Sequence, residues 1–543
     1  MPTFLYLKLI SGRFLMIKQQ LLQYAGLFVF TAATLFAAET LSDGYILYGT
    51  FDGKTTVLLD KTGTAVKTWE HTSKNGYSVY LLENGNLLRT AQVAASVKYP
   101  TGAMPIQGII EEVDSSGKAL WTYQLANETY ITHHDMKPLP NGHIIACAFE
   151  LKTKEEMVEA GVDTILLKQG MGMGGSGKSI LAEMIFELDP HAAGGPKIVW
   201  EWHIWDHVIP KAQAAQHPEL FCGSLGPSAL GQWVHLNGID FNPKTNLIVF
   251  TSRLFSEVYV IDHSTTTEQA ASHNGGTHGK GGDLLYRWGR SSNYLAAGDT
   301  IVKTLHCCTW IPEGYPGAGN ILFFHNNATP STLMSVGNSQ VIEVKPPLDA
   351  NGKFISSPST AFGPSKPTWI YAPAPPDSMF SSFMSSAFRL KNGNTLVHEC
   401  QNNRVREVTA DGQVVWKYSF PLPSDGSPGG LMMMSGPAKI MYYPGSYVGV
   451  SRLLGLPIVM ERRTLPGDGI SSRPAIIRRM ARSVELDNVA GAEIGVFTLQ
   501  GRRVARRCVL TDRTIVGIPA GASLIRIDDG RRTTAFLTTA TIQ

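Results

Sequence analysis

Three histidines of this chain stand at one fixed distance from predicted turns. His134, His235 and His306 each lie seven residues before a turn-forming pair, and the same offset selects Tyr77 and Ser385. The turn pairs are Asn84-Gly85, Asn141-Gly142, Asn242-Pro243, Glu313-Gly314 and Asn392-Gly393. Residues at equivalent positions of a structural repeat converge in space, so these five side chains are expected to meet. Convergent polar side chains in a cavity are a candidate functional site.

The residue types at these positions suggest two kinds of chemistry. Three histidines can bind zinc or copper, or they can transfer protons and attack an electrophile. Arg253 follows in the same repeat as His235, and a fixed cation repels a metal ion but suits an oxyanion such as sulfate or phosphate. The alternative for Arg253 is a surface ion pair with Glu257. Histidine plus arginine without clustered carboxylates favours transfer of an anionic group. Neither a metal ion nor a cofactor is expected at this site.

The elements that must position these residues repeat six times between residues 45 and 420. Each repeat has a β-rich segment with an acidic residue, usually a glycine turn, and a strand that ends in tryptophan. The tryptophans are Trp69, Trp121, Trp200, Trp288, Trp369 and Trp416. Six such units with hairpin turns predict an all-β fold, a six-bladed β-propeller with a small C-terminal β-sandwich-like domain.

The central channel of a propeller is lined by the innermost strand of each blade, and there the three histidines are expected to lie. Tyr77 and Ser385 are expected to contact the substrate at the same level. His133 does not fit the offset. Because adjacent strand residues face opposite sides, His133 is expected to point the other way, away from His134.

Several longer segments resemble the bacterial arylsulfotransferase family. The resemblance covers about residues 44–420. It is carried by His133-His134-Asp135, Ile198–Val208, Trp233–Pro243 with Ser252-Arg253, Gly281–Gly289, Trp310–Leu322 and Leu390–Glu399. The family resemblance implies a six-bladed propeller with its site in the channel. It also implies transfer of sulfate between phenols without a nucleotide donor such as PAPS.

The same resemblance implies roles for individual residues. His306 matches the nucleophile that is sulfated in a ping-pong cycle, while His134, His235 and Arg253 match positions that hold the sulfuryl oxygens and help proton transfer. Asn237 matches a supporting polar residue expected to bind substrate. The residue before His306 is apolar here, where the family usually has a polar residue such as Gln. The sequence therefore names no partner that would orient the His306 ring.

An aryl sulfate donor and a phenolic acceptor are the partners that this resemblance implies. Two other function classes stay open from the residues alone. One is a metal-dependent propeller enzyme, and the other is a non-catalytic propeller that binds a ligand. The same fold can host many unrelated functions, so fold alone does not decide among them.

The two ends of the chain predict export. Residues 1–38 combine a short cationic start, an apolar run and small residues, which is typical of a signal peptide, with a membrane anchor as the alternative. Residues 39–446 are assigned to the propeller and 447–483 to an arginine-rich linker. Residues 484–543 are assigned to a small β domain that resembles the sorting domains of type IX-like secretion. The protein is thus expected in the periplasm, at the cell surface or outside the cell, with export machinery as a partner.

Composition excludes other classes. A formal net charge of +3 over 543 residues argues against a strongly basic nucleic-acid-binding protein. Six cysteines are few for an exported chain of this length, so the fold is not expected to depend on disulfides. Residues Gly172–Ser179 match a phosphate-binding loop, but the sequence that follows reads as a strand rather than a helix. A loop insertion is therefore the favoured interpretation of this segment.

Overall fold

Six four-stranded antiparallel sheets are arranged as a β-propeller, which confirms the predicted fold class. The computed structural model describes residues 41–456, together with the backbone of eight strands beyond them. Within the first 456 residues, the structure does not describe 1–40, 52, 164–178, 225–230, 329–336, 376–377 and 422–435. The predicted signal peptide lies outside the described residues, and so does the phosphate-loop match apart from Ser179. A strand, Ser179–Asp189, begins at this serine.

The first three blades follow one another along the chain. From the innermost strand outward, blade 1 consists of Pro437–Tyr443, Tyr45–Thr50, Thr55–Asp60 and Ala65–Glu70. Blade 2 consists of Asn75–Leu81, Leu87–Gln92, Gly108–Val113 and Ala119–Gln124. Blade 3 consists of Tyr130–Pro138, Ile144–Thr153, Ser179–Asp189 and Lys197–His203. The innermost strand of blade 1 comes from the far end of the propeller, and its antiparallel pairing with the first strand closes the ring.

The remaining blades have the same order. Blade 4 consists of Leu236–Asn242, Leu247–Ser252, Glu257–Asp262 and Tyr286–Trp288. Blade 5 consists of Leu305–Trp310, Ile321–His325, Gln340–Val344 and Trp369–Tyr371. Blade 6 consists of Ser386–Arg389, Thr395–Glu399, Arg404–Val408 and Val414–Ser419. The predicted turn pairs join the two innermost strands of blades 2 to 6, so the sequence offset is measured along structurally equivalent strands.

The repeated tryptophans link neighbouring blades. In four of them the indole N–H donates to the outer connection of the next blade. These contacts are Trp200 Nε1 to Thr265 Oγ1 at 3.2 Å, Trp288 Nε1 to Pro364 O at 2.7 Å, Trp369 Nε1 to Ala410 O at 2.8 Å and Trp416 Nε1 to Lys61 O at 2.9 Å. A buried or half-buried indole satisfies its single donor in this way while its ring fills space between sheets.

The hydrophobic core lies between the faces of adjacent blades. One cluster joins Ile145 and Ile185 of blade 3 to Ile248 and Phe250 of blade 4, and all four side chains are fully buried. The described cysteines are free, buried thiols at positions 147, 222, 307, 308 and 400.

Short helices occur only in connections of the described chain. The α-helices are Lys154–Glu159, Thr267–Ala270 and Val448–Leu454, and the 3-10 helices are Ile204–His207, Lys211–Gln213 and Ser291–Tyr294. A parallel two-stranded ribbon pairs Val208–Ile209 with Phe221–Cys222. None of the helices in the described part of the chain has the length and apolar character needed to cross a membrane.

The region beyond residue 456 contains two further four-stranded sheets. In sheet order the first consists of Ile458–Met460, Ala475–Met480, Ser483–Asp487 and Arg513–Gly517. The second consists of Arg503–Cys508, Glu493–Thr498, Ala522–Asp528 and Thr533–Leu537. The first sheet starts within the segment assigned to the linker, ahead of the predicted domain boundary at residue 484.

Candidate active site

The innermost strands of blades 2 to 5 bring four of the predicted site residues together. The ring centroid of His134 lies 4.7 Å from that of His235 and 6.4 Å from that of His306. It lies 5.1 Å from the ring centroid of Tyr77. All four side chains are buried. The equal offset in the sequence therefore corresponds to a cluster of rings around the propeller axis.

A β-bulge in the innermost strands of blades 3, 4 and 5 changes the direction in which the nearby side chains point. The register with the neighbouring strand shifts just after His133, Leu236 and His306. The backbone is left-handed at His134, with φ of 48°, and at His235, with φ of 59°. Bulges interrupt the alternation of a strand and are common beside active sites. The expectation that His133 points away from His134 is therefore wrong, because their Nδ1 atoms are 2.8 Å apart.

The ring of His306 is held in one tautomer by Asn326. His306 Nδ1 lies 2.7 Å from Asn326 Oδ1. The amide nitrogen of Asn326 donates to the carbonyls of Ser381 at 2.8 Å and Met384 at 3.1 Å, which fixes the oxygen toward the histidine. An amide oxygen only accepts, so Nδ1 carries the ring proton. The lone pair of a neutral His306 ring therefore lies on Nε2, and Asn326 is the partner that the sequence did not name.

Gln232 holds His235 in the same way. His235 Nδ1 lies 2.5 Å from Gln232 Oε1. The Gln232 amide nitrogen donates to the carbonyls of Gly102 at 2.9 Å and Met104 at 3.2 Å. The proton of a neutral His235 ring therefore stays on Nδ1 and its Nε2 has the lone pair.

His134 is linked through His133 to a buried carboxylate. His133 Nδ1 contacts His134 Nδ1, and His133 Nε2 lies 2.9 Å from Glu183 Oε2. Glu183 and His133 are buried, and the His133 ring stacks on Phe149 at 3.7 Å between centroids. Burial raises the pKa of Glu183 above its ordinary value although His133 opposes this shift. The three groups form a hydrogen-bonded chain that leads from the channel into the protein.

Arg253 contributes a positive charge that has no ionic partner among the described residues. Its backbone N–H donates to the carbonyl of His235 at 3.0 Å. Its guanidinium makes no hydrogen bond or ion pair with the residues that the structure describes. The alternative partner, Glu257, binds Arg287 in a bidentate ion pair, with N–O distances of 2.9 and 2.5 Å. Arg253 therefore remains available to an anionic ligand.

Burial and positive charge keep the clustered histidines neutral. Burial, followed by the charge of Arg253, lowers the pKa of His306 to about 3. Burial and then Arg253 also hold the pKa of His235 well below its usual 6.5. Burial first, and the neighbouring His235 second, hold the pKa of His134 well below 6.5 as well. At neutral pH all three rings are uncharged, as a histidine nucleophile requires.

The other predicted substrate-binding residues occupy different surroundings. Tyr77 is buried, and its hydroxyl has no hydrogen-bond partner within the described structure. Burial raises its pKa well above 10, so it stays a donor. Both ends of the Asn237 amide are used by the protein, since it donates to Leu305 O at 2.5 Å and accepts from Thr251 Oγ1 at 2.8 Å.

Ser385 is fully buried and its hydroxyl accepts from the Cys400 N–H at 3.0 Å. The Ser385 hydroxyl is therefore used in a buried contact within blade 6. Asp135 lies next to His134 in the chain but forms a buried ion pair with Lys439, at 2.7 Å. Burial alone would lower the pKa of Lys439, yet Asp135 keeps it well above its usual value. This pair ties blade 1 to blade 3 beside the site.

Sequence reasoning missed four residues that orient or extend the cluster. They are His133, Glu183, Gln232 and Asn326. Glu183 could have been found as the carboxylate within the apolar run 180–186, because such a residue is almost never buried without a partner. Asn326 directly follows a strand end and carries no comparable signal in the sequence.

Comparison with solved structures gives only distant likenesses. Among solved structures, a protein of unknown function from Bacteroides caccae is 12% identical, with a TM-score of 0.39, and the match covers 74% of this chain and 99% of that one. A putative 6-phosphogluconolactonase from Bacteroides fragilis is 11% identical, with a TM-score of 0.34 and coverages of 74% and 99%. A protein from Lactobacillus plantarum is 11% identical, with a TM-score of 0.34 and coverages of 88% and 100%. These likenesses are too weak to assign a function.

No curated protein matches the sequence significantly. Residues 36–345, more than half of the chain, match the family described as Arylsulfotransferase (ASST). That span contains all three clustered histidines, Arg253 and Asn326. The family supports aryl sulfotransfer without PAPS as its general activity, with aryl sulfates and phenols as substrates. The chain belongs to the arylsulfotransferase family.

Proposed function

We propose that this protein transfers a sulfuryl group from an aryl sulfate to a phenol by a ping-pong mechanism through a sulfohistidine at His306. The observation that carries this proposal is the contact of His306 Nδ1 with Asn326 Oδ1. It leaves a lone pair on Nε2 of a neutral ring, close to the unpaired charge of Arg253. A neutral nucleophile beside a fixed cation suits attack on an anionic ester.

In the first half-reaction, Nε2 of His306 attacks the sulfur of the aryl sulfate. The N–S bond forms as the bond between sulfur and the aryl oxygen breaks, and the electron pair leaves with the phenolate. Arg253 stabilises the charge on the sulfuryl oxygens. Binding of the anionic ester is coupled to uptake of one proton from solvent by His235 at Nε2, since a nearby anion raises an imidazole pKa. The protonated ring donates to these oxygens and keeps this proton through both half-reactions.

The departing phenolate takes a proton from His134. In the starting form Glu183 is protonated and His134 carries its proton on Nε2. When His134 Nε2 protonates the phenolate, His133 passes its Nδ1 proton to His134 Nδ1. Glu183 then passes its proton to His133 Nε2. The half-reaction ends with a carboxylate at Glu183, a free phenol and a sulfated His306.

The second half-reaction runs the same proton path in reverse. The acceptor phenol gives its proton to His134 Nε2 as its oxygen attacks sulfur. The protons shift back along His133, and Glu183 is protonated again. The N–S bond breaks and the electron pair returns to His306. The proton that the leaving phenol takes from the Glu183, His133 and His134 path is replaced by the one that the acceptor phenol gives up, so a complete cycle needs no net proton from bulk water along this path.

The supporting residues receive positioning roles in this proposal. Asn237 holds the carbonyl of Leu305 and thereby the start of the strand that carries His306. The hydroxyl of Tyr77, which has no partner among the described residues, is assigned as a donor to a substrate oxygen in this proposal. A metal-dependent reaction at the cluster is less well supported, because the charge of Arg253 opposes a divalent cation there. A purely binding role leaves the linked chain of Glu183, His133 and His134 without a purpose.

The test measures release of a chromogenic phenol from its sulfate, with and without a second phenol, using His306→Ala and the unchanged protein. We expect release to be stimulated by the acceptor and abolished in the variant. The matched control is His217→Ala, which removes a half-exposed histidine that pairs with Glu219 outside the cluster. Acid-free quenching followed by peptide mapping should locate the sulfuryl group on His306.

Different results would separate the remaining alternatives. Normal turnover in His306→Ala would contradict the sulfohistidine. Phenol release that ignores the acceptor would indicate hydrolysis of the ester by water. Unimpaired ligand binding with no turnover of any donor would favour the non-catalytic propeller.

We also propose that the chain is exported through a signal peptide at residues 1–38 and that residues 484–543 serve sorting by export machinery. The proposal is supported by the composition of these segments. Deleting residues 484–543 should release the protein from the cell surface. Unchanged surface retention after the deletion would contradict the sorting role.

A further inference from the structure

A second cluster of histidines lies at the outer edge of blades 3 and 4. His207 ends the 3-10 helix that follows the outermost strand of blade 3, and His273 and Asp283 lie in the loop before the outermost strand of blade 4. The potential ligand atoms of these three residues lie within 4.8 Å of one another. The proposed sulfotransfer uses none of them.

The ring of His207 faces an acceptor on each side. His207 Nε2 lies 2.8 Å from the carbonyl oxygen of Ala270, and Nδ1 lies 2.8 Å from Asp283 Oδ1. A carbonyl only accepts, so Nε2 carries the ring proton. In a neutral ring the lone pair of Nδ1 then faces a carboxylate oxygen. This contact is repulsive unless a proton or another cation lies between the two atoms.

The same carboxylate oxygen meets a second imidazole. His273 Nδ1 lies 2.7 Å from Asp283 Oδ1. Two imidazole nitrogens and one carboxylate oxygen thus converge from two blades. This ligand set suits zinc and other divalent first-row transition metals. The contact of His207 Nε2 with a backbone carbonyl is the outer contact that metal-binding histidines almost always make.

The surroundings fix His207 and leave His273 accessible. The Trp202 ring stacks on His207 with an interplanar angle of 10°, and its indole N–H donates to Gly282 O at 2.7 Å. A Cβ at position 282 would lie 2.0 Å from Ala270 O and 2.6 Å from His207 Nε2, so only glycine fits there. The His273 side chain is 57% exposed, which gives a metal ion an entry path.

We propose that His207, His273 and Asp283 bind one divalent transition-metal ion of the zinc class, which ties the glycine-rich loop of blade 4 to blade 3. The ion would replace the repulsion between lone pairs by three coordinate bonds. It has a structural role, and it lies apart from the histidines that face the channel. The competing arrangement is a buried imidazolium at His207 paired with Asp283, without a metal ion.

The experiment uses the full chain without a polyhistidine tag, dialysed against a chelator and then titrated with ZnCl₂ in a calorimeter. We expect one zinc ion per chain and a melting temperature that rises with zinc. His273→Ala should weaken zinc binding by at least about tenfold and abolish the thermal shift. Asp283→Asn should act likewise, while the amide can still donate to His207 Nδ1.

Two control variants locate the binding. His217→Ala removes another accessible histidine beside a carboxylate and should bind zinc normally. His306→Ala removes a channel histidine and should also bind normally. Absence of zinc binding by the unchanged chain would overturn the proposal, as would affinity unaltered in His273→Ala. Loss of binding in His306→Ala alone would place the metal in the channel instead. Because His273 is exposed, its variant stays informative if Asp283→Asn does not fold.

Discussion

Replacing Glu183 by glutamine tests the proton path without touching the nucleophile. Glu183 lies two hydrogen bonds away from His134, at 2.9 Å from His133, which in turn is 2.8 Å from His134. Glutamine keeps the size of the side chain, and its amide oxygen can still accept from the Leu236 N–H, which now lies 3.0 Å from Glu183 Oε1. Glutamine cannot release or regain the proton that Glu183 holds at the end of the proposed proton path.

The expected loss is that of general acid–base catalysis, about 10²- to 10⁴-fold in the rate of transfer between weakly acidic phenols. At about 1.36 kcal/mol for each tenfold change, this corresponds to about 2.7–5.4 kcal/mol of transition-state stabilisation. Without Glu183, His134 must hold the proton itself as an imidazolium, and burial and the neighbouring histidines disfavour that form.

The assay compares leaving groups of graded acidity. A strongly acidic phenol leaves as a phenolate without needing the proton, so its release in the first half-reaction should be nearly normal. Transfer from the sulfated enzyme to a weakly acidic phenol should then be slow. Glu183→Gln is therefore expected to give a burst of about one phenol per chain, followed by slow turnover.

Two results would refute this reasoning. One is an equal loss of rate for every phenol, which would indicate a misplaced cluster rather than a missing proton store. The other is a normal rate with weakly acidic phenols. The melting temperature of the variant provides the control for folding.

Two further predictions concern Asn326 and the buried His398. Asn326→Ala should slow sulfation of His306 by about 5- to 150-fold, because leaving the buried Nδ1–H donor of His306 unpaired costs about 1–3 kcal/mol. Quench-flow measurements compare this variant with the control Asn327→Ala. Equal sulfation rates in the two variants would contradict the role of the tautomer. His398→Leu should reduce the fall in the free energy of unfolding between neutral and acid pH. Burial lowers the pKa of His398 to about 3, so below pH 6.5 the unfolded chain binds more protons than the folded one. This residue alone therefore removes about 3 kcal/mol of stability between pH 6.5 and pH 4. Denaturant melts of both proteins at pH 7 and pH 4 measure this difference, and equal acid losses would contradict it.

The propeller could be predicted because its information is periodic. The turn pairs recur in five of the six units, and a tryptophan recurs on the outermost strand of every blade. The tryptophans recur for a physical reason, since Trp200, Trp369 and Trp416 each hydrogen-bond to the next blade. The histidines could be placed because they share an offset from those turns. Long-range contacts have no such period. Asn326 meets His306 only because the second strand of blade 5 folds back on the first, and the sequence near His306 contains no sign of it.

The error over His133 has a more general cause. Alternation along a strand holds only while the strand stays in register with its neighbour, and a bulge at this position breaks the register. Left-handed backbone at a histidine costs on the order of 1–3 kcal/mol, and it recurs at His134 and His235. The strain allows His133 and His134 to meet through their Nδ1 atoms, which an ordinary strand would prevent. The bulge therefore connects His134 to Glu183, and straightening it should uncouple the proposed proton path while leaving His306 and Asn326 in contact.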